Sequence, residues 1–215
     1  MKGNQGTDTK RKRAPSKRSL ATRERVLDAA ESVFANRGFD GATIRDIATE
    51  AGEPIGTIHH HGGGKEALFH QTVARRAEAL SRARLEALEQ AKRTGVPTLE
   101  RVLDAFMRPF FALSAEEGRW RNYARLIAFV SVDDRWREIS AQYFDPTATV
   151  FIGEIHARLP HMSKQQVAEG FVFSVSAMLA LLTSRDRICA LGARRSTEDV
   201  QFDHLVRFCA AGFES

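Results

Sequence analysis

Residues 43–66 read TIRDIATEAGEPIGTIHHHGGGKE. In TIRD an acidic residue follows Thr43 by three positions, an approximate capping box at a helix start. Ile44, Ile47, Ala48 and Ala51 then fall at i, i+3, i+4 and i+7, one buried stripe. Gly52 ends that helix after two turns. Pro54 suits the first turn of a third helix, where its missing N–H would be unpaired anyway. That helix is expected to run through Ile55 and Ile58 to about His61. Two short helices joined by a tight turn at Ala51-Gly52-Glu53 form a helix-turn-helix, whose second member is the one that enters a major groove.

The sequence on either side keeps the helical period. Upstream, 19–37 predicts a helix with Ser19 as N-cap; Val26, Leu27, Ala30, Val33 and Phe34 lie on one face and Gly38 stops it. Downstream, Lys65 to about Arg93 reads as one long charged helix, and Gly95 and Pro97 mark its end. Further helices are expected at 98–114, 120–131, 134–158, 164–188 and 198–212, with Pro109 kinking the first and Pro146 interrupting the third. No segment alternates as a strand does. The expected fold class is all-α. A basic arm covers 1–18, a three-helix segment with the helix-turn-helix 19–64, and a larger helical region 65–215.

Composition narrows the function. Of 215 residues 43% are hydrophobic, enough for a sizeable core. Cys189 and Cys209 lack the number and spacing of a disulfide framework or zinc site, which predicts buried thiols in a reducing, cytoplasmic compartment. The N-terminus has no apolar signal segment, and the longest apolar run, FVFSVSAMLALL at 171–182, is too short to span a bilayer. A soluble protein is expected. The net charge is +5, yet residues 1–18 carry seven Lys or Arg against Asp8, leaving −1 for all the rest. Such an arm, with Lys10, Arg11, Lys12 and Arg13 at its centre, either binds an acidic polymer such as DNA or is a solvated tail.

The string TRERVLDAAESVFANRGFDGATIRDIATEAG, followed by GTIHHH and KEALF, resembles the DNA-binding domain of the tetracycline-repressor (TetR) family of bacterial transcription regulators. The likeness covers about 20–70 and combines the RGF-x-x-x-T turn, the D-I-A-x-x-A-G helix and H-x-x-x-K-E. It implies an all-helical homodimer that leaves operator DNA when a small molecule binds. The run ARLPHMSKQQVAEGFVFSVSAMLALL with RDRICALG resembles a subgroup that includes fatty-acid-responsive regulators. The sequence departs from the family at Gly62, where Phe usually plugs the gap to the next helix, and at His59, often Tyr.

The histidines allow two readings. Adjacent helical residues point about 100° apart, so His59, His60 and His61 cannot share one ion, and no metal or other cofactor is expected. As the end of a recognition helix, Thr57, His59 and His60 can donate to phosphates, with Lys65 adding a fixed charge. Pro54 and Ile55 offer apolar contact to a thymine methyl, and Arg45 is the candidate for a guanine. Thr43 completes the DNA-contact set. A glycine in place of Phe predicts a void costing ~3–5 kcal/mol, a loosened 62–64, and a gain in stability from Gly62→Phe. Neither a nucleophile elbow nor a complete phosphate loop supports an enzyme, and GGGK lacks the rest of a Walker loop.

Over 99–182 the aromatic density predicts a pocket for a small, apolar effector. Its candidates are Phe106, Phe110, Trp120, Tyr123, Phe129, Tyr143, Phe144, Phe171 and Met178, with Arg125, Asn122 or His156 orienting the ligand. The stripes Val167/Phe171/Val175/Met178/Leu179/Leu182 and Phe202/Leu205/Val206/Cys209/Ala210/Phe213 serve either a four-helix dimer interface or packing within one chain. The leading expectation is therefore a ligand-responsive, homodimeric regulator, acting as a repressor on a near-palindromic double-stranded DNA operator. The alternatives are a non-specific nucleic-acid binder driven by the arm, and a His-metal enzyme.

Overall fold

The computed structural model describes residues 16–192 and 197–214, so the arm residues Lys10–Arg13 lie outside the described residues. Eleven α-helices and one short 3-10 turn are present among the described residues. Three helices, α1 (Lys17–Gly41), α2 (Ile44–Ala51) and α3 (Ile55–Gly62), pack on one another and on the first turns of α4 (Lys65–Arg93). The remainder is α5 (Leu99–Glu116), α6 (Arg119–Val132), a 3-10 turn (Asp134–Trp136), α7 (Arg137–Tyr143), α8 (Asp145–Arg158), α9 (Lys164–Thr183), α10 (Arg185–Gly192) and α11 (Glu198–Glu214).

Most boundaries follow local chemistry. Ser16, three residues before the expected cap, accepts from Ser19 N and starts α1. Gly38 (φ 68°) breaks α1 as predicted, but helical backbone resumes beyond it to Gly41. Thr43 and Asp46 form the reciprocal box at α2, and Gly52 closes that helix in the left-handed conformation (φ 62°). Pro54 sits one residue earlier than expected, at the N-cap of α3. The predicted 134–158 helix is three pieces, because Pro146 opens α8 instead of interrupting a helix, and 164–188 divides near Ser184.

Helix α4 spans the molecule, packing on α1 and α3 at one end and on α5 along its length. Two joints tie the N-terminal helices to the rest. In the first, buried Arg76 of α4 pairs with buried Glu31 of α1 (2.7 Å) while lying over Trp120 of α6 (5.0 Å). Burial pushes the Glu31 carboxyl up, with Arg76 opposing it. Beside it, Arg75 and Arg119 both hold Asp28. In the second, Trp136 enters an aromatic cluster, 4.7 Å from Phe39 and 4.3 Å from Phe69, with Phe34 behind them (5.1 Å from Phe69).

Helix α9 extends the apolar run at 171–182 toward its N-terminus. Its 20 residues carry a mean hydropathy of 1.5 over the most apolar 18, so by length and composition it could cross a bilayer. The apolar run at 171–182 is only its second half. One side of α9 packs on α6, α8 and α11; Val172 and Phe173 stand exposed.

Candidate nucleic-acid interface and ligand cavity

At the turn between α2 and α3, Glu53 N–H donates to Ala48 O (3.1 Å) and Glu53 pairs with Arg25 of α1, which ties the turn to the first helix. Ile47 and Ile58 are fully buried, so the pair of helices is pinned from beneath. Pro54, Ile55, Gly56, His59 and His60 are left facing solvent on α3, joined by exposed Arg45 from α2; Thr57 is half-buried. The open Gly56 lets a ligand backbone approach the helix closely.

Two of the expected contacts are occupied by the fold itself. The Thr43 hydroxyl donates to Asp46 Oδ2 (2.7 Å) and accepts from Asp46 N, and this box holds the Asp46 carboxyl below the usual range. The Lys65 ammonium donates to Asp40 O (3.3 Å) and lies 4.5 Å over the Phe39 ring.

The histidines diverge. His59 Nδ1 lies 3.1 Å from Gly63 O, while His60 and His61 meet edge to face at 4.9 Å. His61 is half-buried, and its imidazole sits below its ordinary value because burial, then His60 and Arg23, disfavour the charged ring. Among the described residues no three His, Cys, Asp or Glu side chains converge as a metal-binding set.

Gly62 overturns the expected void. A Cβ there would lie 2.8 Å from Leu68 Cδ1 and 3.2 Å from Leu68 Cβ, so Leu68 already fills the space a Phe would need. Nor is the stretch loose. Gly62 is buried, its carbonyl accepts from Gln71 Nε2 (3.0 Å), and Gly63 N–H donates to His59 O (2.9 Å). The helix continues to Gly62, one residue past the expected end.

Farther along the chain lies a cavity of about 470 Å³ between α4, α5, α6, α8 and α9. Phe106, Phe110, Phe144, Phe171 and Met178 line it, five of the nine side chains expected from sequence. The other four do not. Trp120 is buried against Phe110 and Arg76; Tyr123 is buried and its hydroxyl donates to Val73 O (2.9 Å). Phe129 is 42% exposed, and Tyr143 packs half-buried against the core. None of the polar groups expected to orient a ligand is there either. Arg125 borders a smaller, charged cavity of about 340 Å³, Asn122 faces a cleft by α1, and His156 lies on another part of α8.

In their place the wall carries Arg84, Ser131, Ser140, Thr149 and Ser176, with Asp133, Asp134, Arg137 and Asp145 at the outer end. Arg84 escaped the sequence reading because the surrounding helix is rich in charge and its long solvated face looked continuous. Its one usable signal was period: Arg84 follows Leu80 by four and precedes Leu88 by four, on the buried stripe. The α9 and α11 stripes turn inward: Val167, Phe171, Met178 and Leu179 of one, and all six residues of the other, are buried within the chain. The large apolar side chains left exposed on these helices are Val172, Phe173, Val200 and Phe208.

A helix-turn-helix presenting its second helix to solvent, joined by a long helix to a cavity with an apolar inner wall, defines a two-part all-helical regulator of the DNA-binding class. Residues 26–72 match the model of bacterial regulatory proteins of the tetR family, and residues 104–212, half of the chain, match the tetracyclin repressor-like C-terminal domain. The chain belongs to the TetR family.

Among curated relatives, the transcriptional repressor AcnR of Corynebacterium efficiens is 36% identical over 72 residues, 32% of this chain and 38% of that protein. The repressor KstR2 of Mycolicibacterium smegmatis is 31% identical over 91 residues, 42% of each chain. The chain thus spans about two-fifths of the length of these relatives. Solved structures extend the likeness of fold to nearly the whole chain. A TetR-family regulator from Shewanella sp. PV-4 superposes with a TM-score of 0.63 at 16% identity, covering 89% of this chain and 95% of that one. FadR from Bacillus subtilis, solved in complex with stearoyl-CoA, gives 0.65 at 14% identity, covering 88% and 98%.

Proposed function

We propose that this protein is a ligand-responsive transcriptional repressor of the cytoplasm, a regulator and not an enzyme. It binds a near-palindromic operator as a homodimer and lets go when a small apolar molecule fills the cavity. One observation carries the reading: residues 131–145 serve the cavity and the DNA-binding helices at once. Ser131, Asp133, Asp134, Arg137, Ser140, Phe144 and Asp145 border the cavity, while Arg135 and Trp136 between them grip α1 and α4. Arg135 holds both Asp40 oxygens at 2.9 Å. A ligand that shifts this segment acts directly on the anchor of the helix-turn-helix, which is a differential contact of the kind that coupling requires.

On DNA, Arg45 reads a base edge, Pro54 and Ile55 supply apolar contact, and Thr57, His59 and His60 bind phosphates. Thr43 and Lys65 act through the fold: one caps α2 and the other braces Phe39 and Asp40. The arm residues Lys10, Arg11, Lys12 and Arg13 add salt-sensitive phosphate contacts. Two recognition helices of a dimer stand about one helical turn, ~34 Å, apart.

Selection from a random duplex pool, with full-length protein and chelator near physiological salt, tests the reading. An enriched inverted repeat is the expected result. Salt-sensitive binding without enrichment would replace it with a non-specific binder held by the arm.

A further inference from the structure

Arg84 is 6% exposed, lines the cavity, and has no carboxylate partner among the described residues. Its Nε donates to Phe106 O (2.9 Å), and Nη2 lies 3.9 Å from Met178 Sδ. Its guanidinium carbon sits 3.8 Å from the Phe106 ring centre and 5.8 Å from that of Phe110. The third donor nitrogen, Nη1, finds no partner among the described residues. The neighbouring arginines of α4 are treated differently: buried Arg76 is paired with Glu31 and half-buried Arg75 with Asp28. This chain therefore neutralises its buried guanidinium groups, and leaves one bare inside a cavity.

A ring face and a carbonyl soften the desolvation of a cation but supply no opposite charge. Burial pushes Arg84 down to about 9, which still leaves it charged at neutral pH. The rest of the inner wall is apolar: Leu80, Phe110, Phe171 and Met178. The outer end is different, with Asp133, Asp134 and Asp145 against Arg137. That end disfavours a second negative charge. The two N–H donors of Nη1 suit one carboxylate, and the apolar side chains around it, Leu80, Phe110, Phe171 and Met178, add no donor for a phosphate's further oxygens.

We infer that the effector is an apolar monocarboxylic acid, its carboxylate seated on Arg84 and its hydrocarbon body against Phe106, Phe110, Phe144, Phe171 and Met178. The inference rests on the ligand-responsive reading above and names the chemistry of its ligand. Sequestering the carboxylate at the inner end leaves the tail pointing toward residues 133–145, the segment that anchors the DNA-binding helices.

The test is titration calorimetry on the full chain with matched probes: decanoate, decan-1-ol, methyl decanoate and decanoyl-CoA, and 4-phenylbutyrate with 4-phenylbutan-1-ol. At least one acid is expected to bind tenfold or more tighter than its alcohol, and decanoyl-CoA no tighter than decanoate. Arg84→Met should bring each acid and its alcohol within twofold, and Arg84→Lys should keep part of the preference. Melting curves establish that each variant folds; if Arg84→Met does not, Arg84→Gln takes its place.

Four results would each overturn the assignment: alcohols or esters equal to acids, the thioester preferred, an acid preference that survives Arg84→Met, or no acid bound below millimolar. A merely structural Arg84, bracing the Phe106 carbonyl near Pro109, would lower the melting temperature on substitution and leave the acid-to-alcohol ratio unmoved. Operator binding measured alongside separates the two readings. Arg84-dependent acid binding that never releases DNA would sink the effector role and leave the site standing. Specific DNA binding with no acid bound would sink the acid site and leave the regulator reading standing.

Discussion

Gly62 carries the sharpest contrast between a residue read in sequence and the same residue read in space. A missing Phe suggests a hole, but a hole exists only if neighbours fail to fill it, and here Leu68 occupies the space beside the glycine, 2.8 Å from where a Cβ would stand. Overpacking then decides the sign. Gly62→Phe is expected to destabilise by at least ~1–3 kcal/mol, a fall in Tm of roughly 2–12 °C, in place of the gain expected from sequence. Thermal denaturation of the two proteins checks this, and a higher Tm would mean that Leu68 yields. His61 offers a second test. Its folded-state value lies below the ordinary 6.5, so the stability tied to the neutral ring is present above pH 6.5 and lost as pH falls through the folded value. Between pH 7.5 and 5.5 the wild type should lose Tm faster than His61→Gln; parallel slopes would refute the assignment.

At the scale of elements, caps and joints divide the work. The α2 box places the Thr43 hydroxyl on Asp46, so Thr43→Ala should cost about 0.5–2 kcal/mol of stability while Thr43→Ser restores it. Operator binding that falls without any loss of Tm would instead make Thr43 a DNA contact. The 3-10 turn behaves differently. Arg135 and Asp40 are largely exposed and Asp133 half-buried, and such an exposed pair adds at most about 1 kcal/mol to stability. Asp40 is nonetheless held below the usual carboxylate range, first by its hydrogen bond to Arg135. Arg135→Ala should leave Tm nearly unchanged and reduce the factor by which a cavity-bound acid weakens operator affinity. Gel-shift titrations with and without the acid measure that factor; an unaltered factor would remove residues 133–136 from the coupling route.

For the whole molecule the open question is what covers Val172, Phe173, Val200 and Phe208. In the proposed homodimer α9 and α11 meet their twins, which accounts for exposed apolar side chains on helices whose inward stripes are already buried. Phe173→Asp with Phe208→Asp should shift the protein from dimer to monomer in light scattering. It should also weaken operator binding more than tenfold, because one half-site alone holds the monomer. A double variant that stays dimeric would place the interface elsewhere. In that proposed dimer Val172 would belong to the interface as well as to the cavity wall.

The sequence by itself determined what depends on neighbours along the chain. The 3.6-residue period, the Thr43–Asp46 box, the Gly52 stop and the span of α4 are local matters of capping, propensity and spacing, and they were legible before any coordinates. The helix-turn-helix and its exposed candidates Arg45, Pro54, Ile55, His59 and His60 followed from the same signals. Contacts between distant segments were decided only by the tertiary structure. Aromatic content cannot distinguish Phe106 and Phe171, which line the cavity, from Trp120 and Tyr123, which fill the core, because both environments reward the same apolar surface. Arg84, surrounded in sequence by solvated charges, becomes a bare cation only when α5 and α9 close over it. A charge is costly or harmless according to what surrounds it in space, and that is a property of the packed molecule.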